Sequence, residues 1–323
     1  MKKLAHSCAA VCAAGVLAVL LFSGCEITVV EQVPVETEYS ISGSVVNVRS
    51  VTQTDKPDSG SVEVRVFGSA TAVATAPVAA DGTYTVEGLK SGSYLVTYKD
   101  AAATPVWFGV PVSVTVGEGN VSNVGALAFK AIPVGSILLI TTWTNTEYDV
   151  DSISMVDSGS SVTQVYWDNK TLSVSDGSGV TTVTLERDIK AAAITPSSYP
   201  AETTLVESLA AGTELRFYVQ LQSLTGSTGS TGSITGLDAG TTSKMPAGVT
   251  VYAMYMETLT KAEHYGTWFA PLNTDEGQVA MVSMVGNDDG SLSIGSFGAN
   301  FAAPNTPRSL LNVNYGVPVK EIR

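Results

Sequence analysis

The chain has 323 residues, of which 44% are hydrophobic and only 15% are charged, so it can supply cores for two domains of ordinary size. Its 30 acidic residues outnumber its 17 basic ones and no cluster of Lys or Arg occurs, which excludes a phosphate-binding surface for nucleic acid. Abundant Gly, Ser, Thr and Val with few charges favour short strands over amphipathic helices. We therefore expect an all-β protein.

All three cysteines, Cys8, Cys12 and Cys25, lie near the N-terminus. Lys2 and Lys3 precede an apolar run over residues 8–22, which is the layout of a secretory signal. The run has 15 residues, whereas a membrane-spanning helix needs about 20, so a transmembrane anchor fits less well. The part of the chain after Cys25 has no cysteine for a disulfide, a thiolate metal site or a thiol nucleophile.

The segment Leu21-Phe22-Ser23-Gly24-Cys25 resembles the lipobox of bacterial lipoproteins. The resemblance implies that residues 1–24 are a cleaved signal peptide and that the Cys25 sulfur carries lipid, with more than one acyl chain for stable anchoring. Glu26 is not the Asp that holds such proteins at the inner membrane, so the resemblance favours a lipid-anchored protein of the cell envelope at the outer membrane. An uncleaved anchor and ordinary signal cleavage are the alternatives. Residues 25–38 are acidic and contain Pro34, which predicts an extended tether.

A first module is predicted over residues 39–130. Valines at 62, 64 and 66 alternate with polar residues, and Tyr94, Val96 and Tyr98 repeat that period of two. Turn sequences such as Asp81-Gly82 separate these segments. Short alternating strands with frequent turns indicate a β-sandwich.

Three segments of this module, residues 41–46, 80–89 and 91–96, resemble the carboxypeptidase regulatory-like domain through the pattern D-G-x-Y-x-x-x-G-L followed by G-x-Y. The resemblance implies a prealbumin-like β-sandwich without catalytic residues. In bacterial surface proteins such modules serve as stalks, spacers or binding supports.

A second β-sandwich is predicted over residues 131–323. Residues 137–140 form a continuous apolar segment, residues 215–221 alternate, and Asn287–Gly290 is placed in a hairpin turn. Residues 224–236 are rich in Ser, Thr and Gly, which predicts a long loop within this sandwich, with a boundary between further domains as the alternative.

The first half of this module resembles a bacterial extracytoplasmic β-sandwich domain of uncharacterised function, through the segments 143–151, 165–169, 185–188 and 199–203. That family is expected to have a W...DLD segment, a second acidic pair and a GPET-like turn. Here Glu186-Arg187-Asp188 replaces a run of aspartates and Ala201 lies inside the turn.

Four acidic residues of these segments are a candidate calcium site. Hard carboxylate oxygens brought together by neighbouring strands are the ligands that Ca²⁺ prefers. Asp149 and Asp151 are two residues apart, so a strand would place them on one face. The alternative is that Asp149, Asp151, Asp188 and Glu202 are solvated or cap turns. No other cofactor is expected.

Among the tryptophans, Trp167 is the candidate sugar-binding platform because polar Asp168 and Asn169 follow it. Most tryptophans are core residues, which is the competing interpretation. His264 is the only histidine after Cys25, and neither a G-x-S-x-G elbow nor a Walker loop occurs, so enzyme chemistry and nucleotide binding are disfavoured.

The sequence thus predicts a noncatalytic envelope lipoprotein for adhesion, scaffolding or binding of an extracellular partner. Its expected partners are the membrane, through Cys25, and a polysaccharide or another envelope protein. A carbohydrate-binding lipoprotein is the first alternative. A calcium-dependent hydrolase, or an accessory protein of one, is the second.

Overall fold

The computed structural model describes residues 37–144, 148–189, 199–224, 248–270, 278–296 and 320–322. Every regular element in these ranges is a β-strand, which confirms the predicted all-β class. Contacts divide the chain into residues 1–37 and residues 38–323, and all described strands belong to the second unit. The signal peptide, Cys25, the tether up to residue 36 and loop residues 225–236 lie outside the described residues. Within the described part, no helix has the length and apolarity needed to cross a membrane.

Eight strands lie in residues 39–130. They are β1 (Tyr39–Asn47), β2 (Ser61–Val66), β3 (Ala72–Pro77), β4 (Thr83–Leu89), β5 (Gly92–Lys99), β6 (Trp107–Gly109), β7 (Val112–Val116) and β8 (Val121–Lys130). They form one sheet in the order β3-β2-β5-β6-β8-β1-β4, with β7 also paired to β5. β1 runs parallel to β8 and antiparallel to β4.

Buried apolar residues that alternate with more exposed residues along the strands form the core of this first module. Val62 and Val64 of β2 are fully buried, as are Val96 and Tyr98 of β5. Their intervening residues are more exposed, as the period of two predicts. The pattern ends early in β2, because Val66 is 45% exposed.

The described part of residues 137–322 contains twelve further strands. They are β9 (Ile137–Thr142), β10 (Tyr148–Asp157), β11 (Val162–Val165), β12 (Thr171–Asp176), β13 (Gly179–Arg187), β14 (Ala201–Ser208), β15 (Glu214–Leu224), β16 (Thr250–Thr258), β17 (Lys261–Phe269), β18 (Gln278–Gly286), β19 (Leu292–Ser296) and β20 (Lys320–Ile322). The predicted hairpin at Asn287–Gly290 is confirmed, because β18 pairs with β19 across it.

These strands form two six-stranded sheets. The middle sheet has the order β12-β13-β14-β9-β16-β17, and the outer sheet has the order β11-β10-β15-β18-β19-β20. Buried side chains from both sheets, including Leu139, Val251, Phe217 and Met284, form one core. The second module is therefore a β-sandwich.

The central strands of the middle sheet, β9, β14 and β16, are buried on both faces over most of their length. Ile137 and Leu139 of β9 belong to the sandwich core, whereas Leu138 and Ile140 pack against the first module. We call this second set of contacts the junction cluster; its buried members are Val46, Val48, Phe108, Val110, Val112, Leu127, Phe129, Ile132, Leu138, Ile140, Leu205, Tyr252, Met254 and Met256. A strand covered on both sides needs apolar residues at every position, which explains the continuous apolar segment at 137–140.

A candidate metal site and the module junction

Three carboxylates meet inside the second module. Asp151 lies in β10 of the outer sheet, Glu202 lies in β14 of the middle sheet, and Asp188 follows the end of β13. One oxygen from each side chain lies within 4.8 Å of the others. We call these three residues the acid cluster. They come from both sheets, so the cluster joins the two layers of the sandwich.

Strand pairing places Glu202 at this position. Glu202 is opposite Thr141 of β9, and Thr141 Oγ1 accepts a hydrogen bond of 2.9 Å from Ser152 Oγ of the outer sheet. The backbone N–H of Ser152 donates to Glu202 Oε2 at 2.6 Å. Glu202 has no exposed surface, and its Oε1 atom has no hydrogen-bond partner among the residues that the structure describes. A buried carboxylate oxygen without a partner is costly and calls for a proton or a cation.

Burial and neighbouring charges also favour the protonated form of Glu202. Burial raises the pKa of Glu202 well above its usual range, and the negative charges of Asp151 and Asp188 raise it further. The hydrogen bonds from Ser152 oppose this shift. The arrangement therefore disfavours an ionised Glu202 unless positive charge is placed beside it.

Two basic side chains lie near the acid cluster. Arg187 is 1% exposed, and it donates from Nη1 to the Val48 carbonyl at 3.2 Å and from Nη2 to the Tyr199 carbonyl at 2.5 Å. Burial lowers the pKa of Arg187 to about 10, and the charge of Glu202 opposes that shift. Lys170 Nζ, which is half exposed, donates to Asp188 Oδ2 at 2.9 Å. These two cations face three carboxylates, and the guanidinium of Arg187 is directed to backbone carbonyls.

Three of the four acids predicted for a calcium site are thus brought together. The fourth, Asp149, is also in β10 but lies outside the set of three. The register of β10 against β15 shifts between Asp149 and Val150, so this end of the pairing is irregular.

Trp167 lies at the tip of a tight turn after β11. Tyr166 and Asn169 exchange two backbone hydrogen bonds of 3.0 Å across this turn. The Trp167 ring is half-buried and meets the Tyr166 ring edge-on at 5.9 Å, while Asp168 and Asn169 are exposed. By contrast, Trp143 and Trp268 are core residues of the second module.

His264 lies in β17, and its Nε2 atom is 2.9 Å from Thr267 Oγ1. Both residues belong to the exposed part of this edge strand. The pairing with a nearby hydroxyl gives the imidazole a structural partner on its own strand.

Sequence reasoning missed a polar cleft beside the junction cluster. It has a volume of about 470 Å³ and is lined by Asn47, Arg49, Ser50, Val51, Asp55, Lys130 and Glu186. Arg49 donates from Nε and Nη2 to both oxygens of Glu186, at 2.7 and 2.6 Å. Lys130 Nζ donates to Asp55 Oδ2 at 2.7 Å. The charges of this cleft are paired within the protein, across sequence distances that no local pattern encodes.

The chain was compared with known proteins. No protein-family model matches the sequence, and no curated protein matches it. Among solved structures it is similar to the full-length major pilin SpaD from Corynebacterium diphtheriae, with 13% identity, a TM-score of 0.24, and coverage of 58% of this chain and 62% of SpaD. The chain therefore spans less than two thirds of that pilin.

Two further solved structures are similar to the chain. A DUF3823 family protein from Parabacteroides merdae has 13% identity and a TM-score of 0.21, covering 57% of this chain and 91% of that protein. The major pilin subunit BcpA of Bacillus cereus has 9% identity and a TM-score of 0.24, covering 89% of this chain and 95% of that protein.

Proposed function

We propose that this chain is a noncatalytic lipoprotein of the cell envelope, attached at the outer membrane through lipid on Cys25. Its docked β-sandwiches form a rigid support for adhesion, scaffolding or binding of an extracellular partner. The observation that carries this proposal is the junction cluster, which packs the first module against one face of the middle sheet. Flexibly linked domains do not share such an apolar core.

The connection between the modules strengthens this argument. Only residues 131–136 separate β8 from β9, and Ile132 within this segment is itself buried in the junction cluster. Arg187 of the second module also donates to the Val48 carbonyl of the first. A short, packed connection suppresses hinge motion, so a ligand bound to one module is held at a fixed place relative to the other.

Accessibility supports a noncatalytic role. Asp151 is 5% exposed and Glu202 has no exposed surface, so substrate has no direct approach to these carboxylates. In the polar cleft, Arg49 and Lys130 are already paired with acids. General acid–base chemistry needs a titratable group within hydrogen-bond reach of substrate.

Anchoring is tested by labelling cells with radioactive palmitate and separating membranes from soluble protein. Native protein is expected to take up label and sediment with the outer membrane, whereas Cys25→Ser is expected to remain unlabelled and to lose that attachment. Equal labelling and sedimentation of the two proteins would refute the anchor. Ser23→Ala is a matched control, because alanine is also a small residue.

Rigidity is tested with pairs of spin labels on exposed positions. Labels at Val73 and Val180, which lie in different modules and are 54% and 50% exposed, are expected to give a single narrow distance distribution. A pair within one module, at Val162 and Val180, supplies the width expected for a rigid body. A much broader distribution for the first pair would contradict a rigid support. Replacing Cys8, Cys12 and Cys25 together by Ser provides the cysteine-free background.

The binding role is tested with the purified full chain on a glycan array, in a pull-down from envelope extracts and against a panel of hydrolase substrates. We expect retention of a specific glycan or envelope protein and no turnover. Robust hydrolysis without any retained partner would reject the proposal in favour of a hydrolase.

Carbohydrate binding is a second candidate because Trp167 presents a half-buried ring on a hydrogen-bonded turn, beside the exposed polar residues Asp168 and Asn169. An aromatic face beside hydrogen-bonding groups is suited to a sugar ring. Trp167→Ala is expected to abolish any glycan signal, whereas Trp107→Ala, in the first module, is expected to preserve it. Unchanged glycan binding by Trp167→Ala would exclude this platform.

A further inference from the structure

The acid cluster differs from an ordinary group of surface acids because it is buried and incompletely satisfied. Asp151 and Glu202 are 5% and 0% exposed, and the Asp188 side chain is 7% exposed. Independently of the clustering, Glu202 Oε1 is buried without any hydrogen-bond partner. This oxygen is an acceptor to which the described part of the chain supplies no donor.

Nearby basic groups compensate only part of the charge of the cluster. Arg187 directs two of its nitrogens to backbone carbonyls, and Lys170 reaches Asp188 from the surface. If all groups are ionised, three negative charges face two positive charges in a site with little water. Buried carboxylates of this kind are stabilised by a proton or by a metal ion.

We propose that Asp151, Asp188 and Glu202 bind one calcium ion that ties the outer sheet to the middle sheet. This inference goes beyond the proposed role as an envelope support and does not depend on it. Asp151 contributes its carboxylate from the outer sheet, and Glu202 and Asp188 contribute theirs from the middle sheet and the segment after β13. The ion is therefore a cross-link between two layers whose described strands pair only within their own sheet.

The ligand chemistry favours calcium over other cations. Two oxygens bound to one Ca²⁺ lie up to about 5 Å apart, because each Ca–O distance is about 2.3–2.6 Å. The three carboxylates lie within 4.8 Å of one another, which fits this span. Mg²⁺ requires near-ideal octahedral geometry and retains several waters, so it suits a buried set of carboxylates less well. Zinc favours nitrogen and sulfur ligands, whereas all three ligands here are carboxylates.

The test uses the full chain purified in mild detergent and dialysed against chelator. Calorimetric titration with CaCl₂ alone is expected to give about one ion per chain, and the melting temperature is expected to rise by about 5–10 °C at a calcium concentration about 100 times Kd. Glu202→Gln retains the acceptor for the Ser152 N–H but lacks the charge, and it is expected to lose both responses. Asp168→Asn, an exposed acid of the same module, is the matched control and is expected to respond like the native chain.

Four outcomes would overturn the proposal. The first is that the chain gives no binding heat and a melting shift below about 1 °C at about 10 mM calcium. The second is that Glu202→Gln binds calcium and gains melting temperature as the native chain does, and the third is that MgCl₂ has the same effect as CaCl₂. The fourth is that Asp168→Asn also loses calcium binding and the melting shift. The first would mean that the cluster is stabilised by a proton. Should Glu202→Gln fail to fold, Asp188→Asn replaces it, because it removes a ligand at the edge of the cluster and is expected to weaken calcium binding at least tenfold.

Discussion

Two groups of charges lie near the module junction, and they are built in opposite ways. The Arg49–Glu186 pair is partly exposed, and both carboxylate oxygens of Glu186 receive hydrogen bonds from the guanidinium. The acid cluster is buried and contains like charges, one of which has an unpartnered oxygen. Glu186 and Asp188 are two residues apart in the chain, yet one belongs to the satisfied group and the other to the cluster.

This difference distinguishes an ion pair that is satisfied within the protein from a candidate ligand-binding site. A paired surface charge has its interactions supplied by the protein, so an added ligand gains little there. A buried set of like charges is stable only with something added, because the cost of removing each charge from water is large. The comparison predicts large effects when the cluster is changed and small effects when the surface pair is changed.

The largest effect is expected for Arg187→Ala. Arg187 is buried, donates hydrogen bonds to two carbonyls and interacts electrostatically with Glu202. Its removal leaves buried acceptors and carboxylates uncompensated, so the free energy of unfolding is expected to fall by about 3–5 kcal/mol. Chemical denaturation of the calcium-free chain measures this. A loss below about 1 kcal/mol would mean that water already reaches this region.

The second effect concerns pH. The pKa of Glu202 is raised in the folded chain, mainly by burial and then by Asp151 and Asp188. The folded state therefore holds a proton that the unfolded state has lost, and stability falls as pH rises from the ordinary glutamate pKa through the folded one. The slope for one proton reaches about 1.4 kcal/mol per pH unit.

Arg187 and Lys170 also face this region, and the pKa of Arg187, which burial lowers to about 10, lies above the range from about pH 5 to about pH 8, so Arg187 does not produce the slope. Melting temperatures of the calcium-free chain across this range measure the effect. Saturating calcium is expected to flatten the curve, because the ion replaces the proton. A calcium-free chain that becomes more stable as pH rises would contradict the raised pKa of Glu202.

A smaller effect is expected for Glu202→Gln without calcium. The amide keeps the shape and the Ser152 hydrogen bond, and it removes the free-energy cost of protonating Glu202 on folding at neutral pH. The melting temperature in chelator at neutral pH is expected to rise by about 2–4 °C, equivalent to about 1 kcal/mol. Asp168→Asn, which changes an exposed acid, is expected to shift it by less than 1 °C. A marked fall in Glu202→Gln would show that the ionised form stabilises the fold.

Local patterns in the sequence were sufficient for much of the fold. Period-two alternation located β2 and β5, and the continuous apolar segment at 137–140 located β9. The same patterns do not determine which strands pair with one another, so the parallel pairing of β1 with β8 was not predicted. β3, with the sequence AVATAP, was also missed because its small side chains give a weak alternation.

The sequence predicted the candidate site only in part, as it did the fold. The acidic residues were singled out from the resemblance of their segments, and Asp151, Asp188 and Glu202 do meet. The inclusion of Asp149 assumed a regular strand, whereas the register shift after Asp149 depends on how β10 pairs with β15. The Arg49–Glu186 pair could not be foreseen, because it joins residues 137 positions apart that meet only once the modules dock.

The smallest effect is expected for Arg49→Ala, which removes the satisfied pair. Arg49 and Glu186 side chains are 26% and 17% exposed, so solvent and salt screen their attraction. The free energy of unfolding is expected to fall by about 0.5–1 kcal/mol at low salt and by less at high salt. Denaturation at two ionic strengths measures it, with Arg65→Ala as the control because Arg65 pairs with Glu63 inside one module. If Arg49→Ala instead cost as much as Arg187→Ala, the docking of the modules would depend on this surface pair, and the buried apolar contacts of Leu138 and Ile140 would not be sufficient to hold them together.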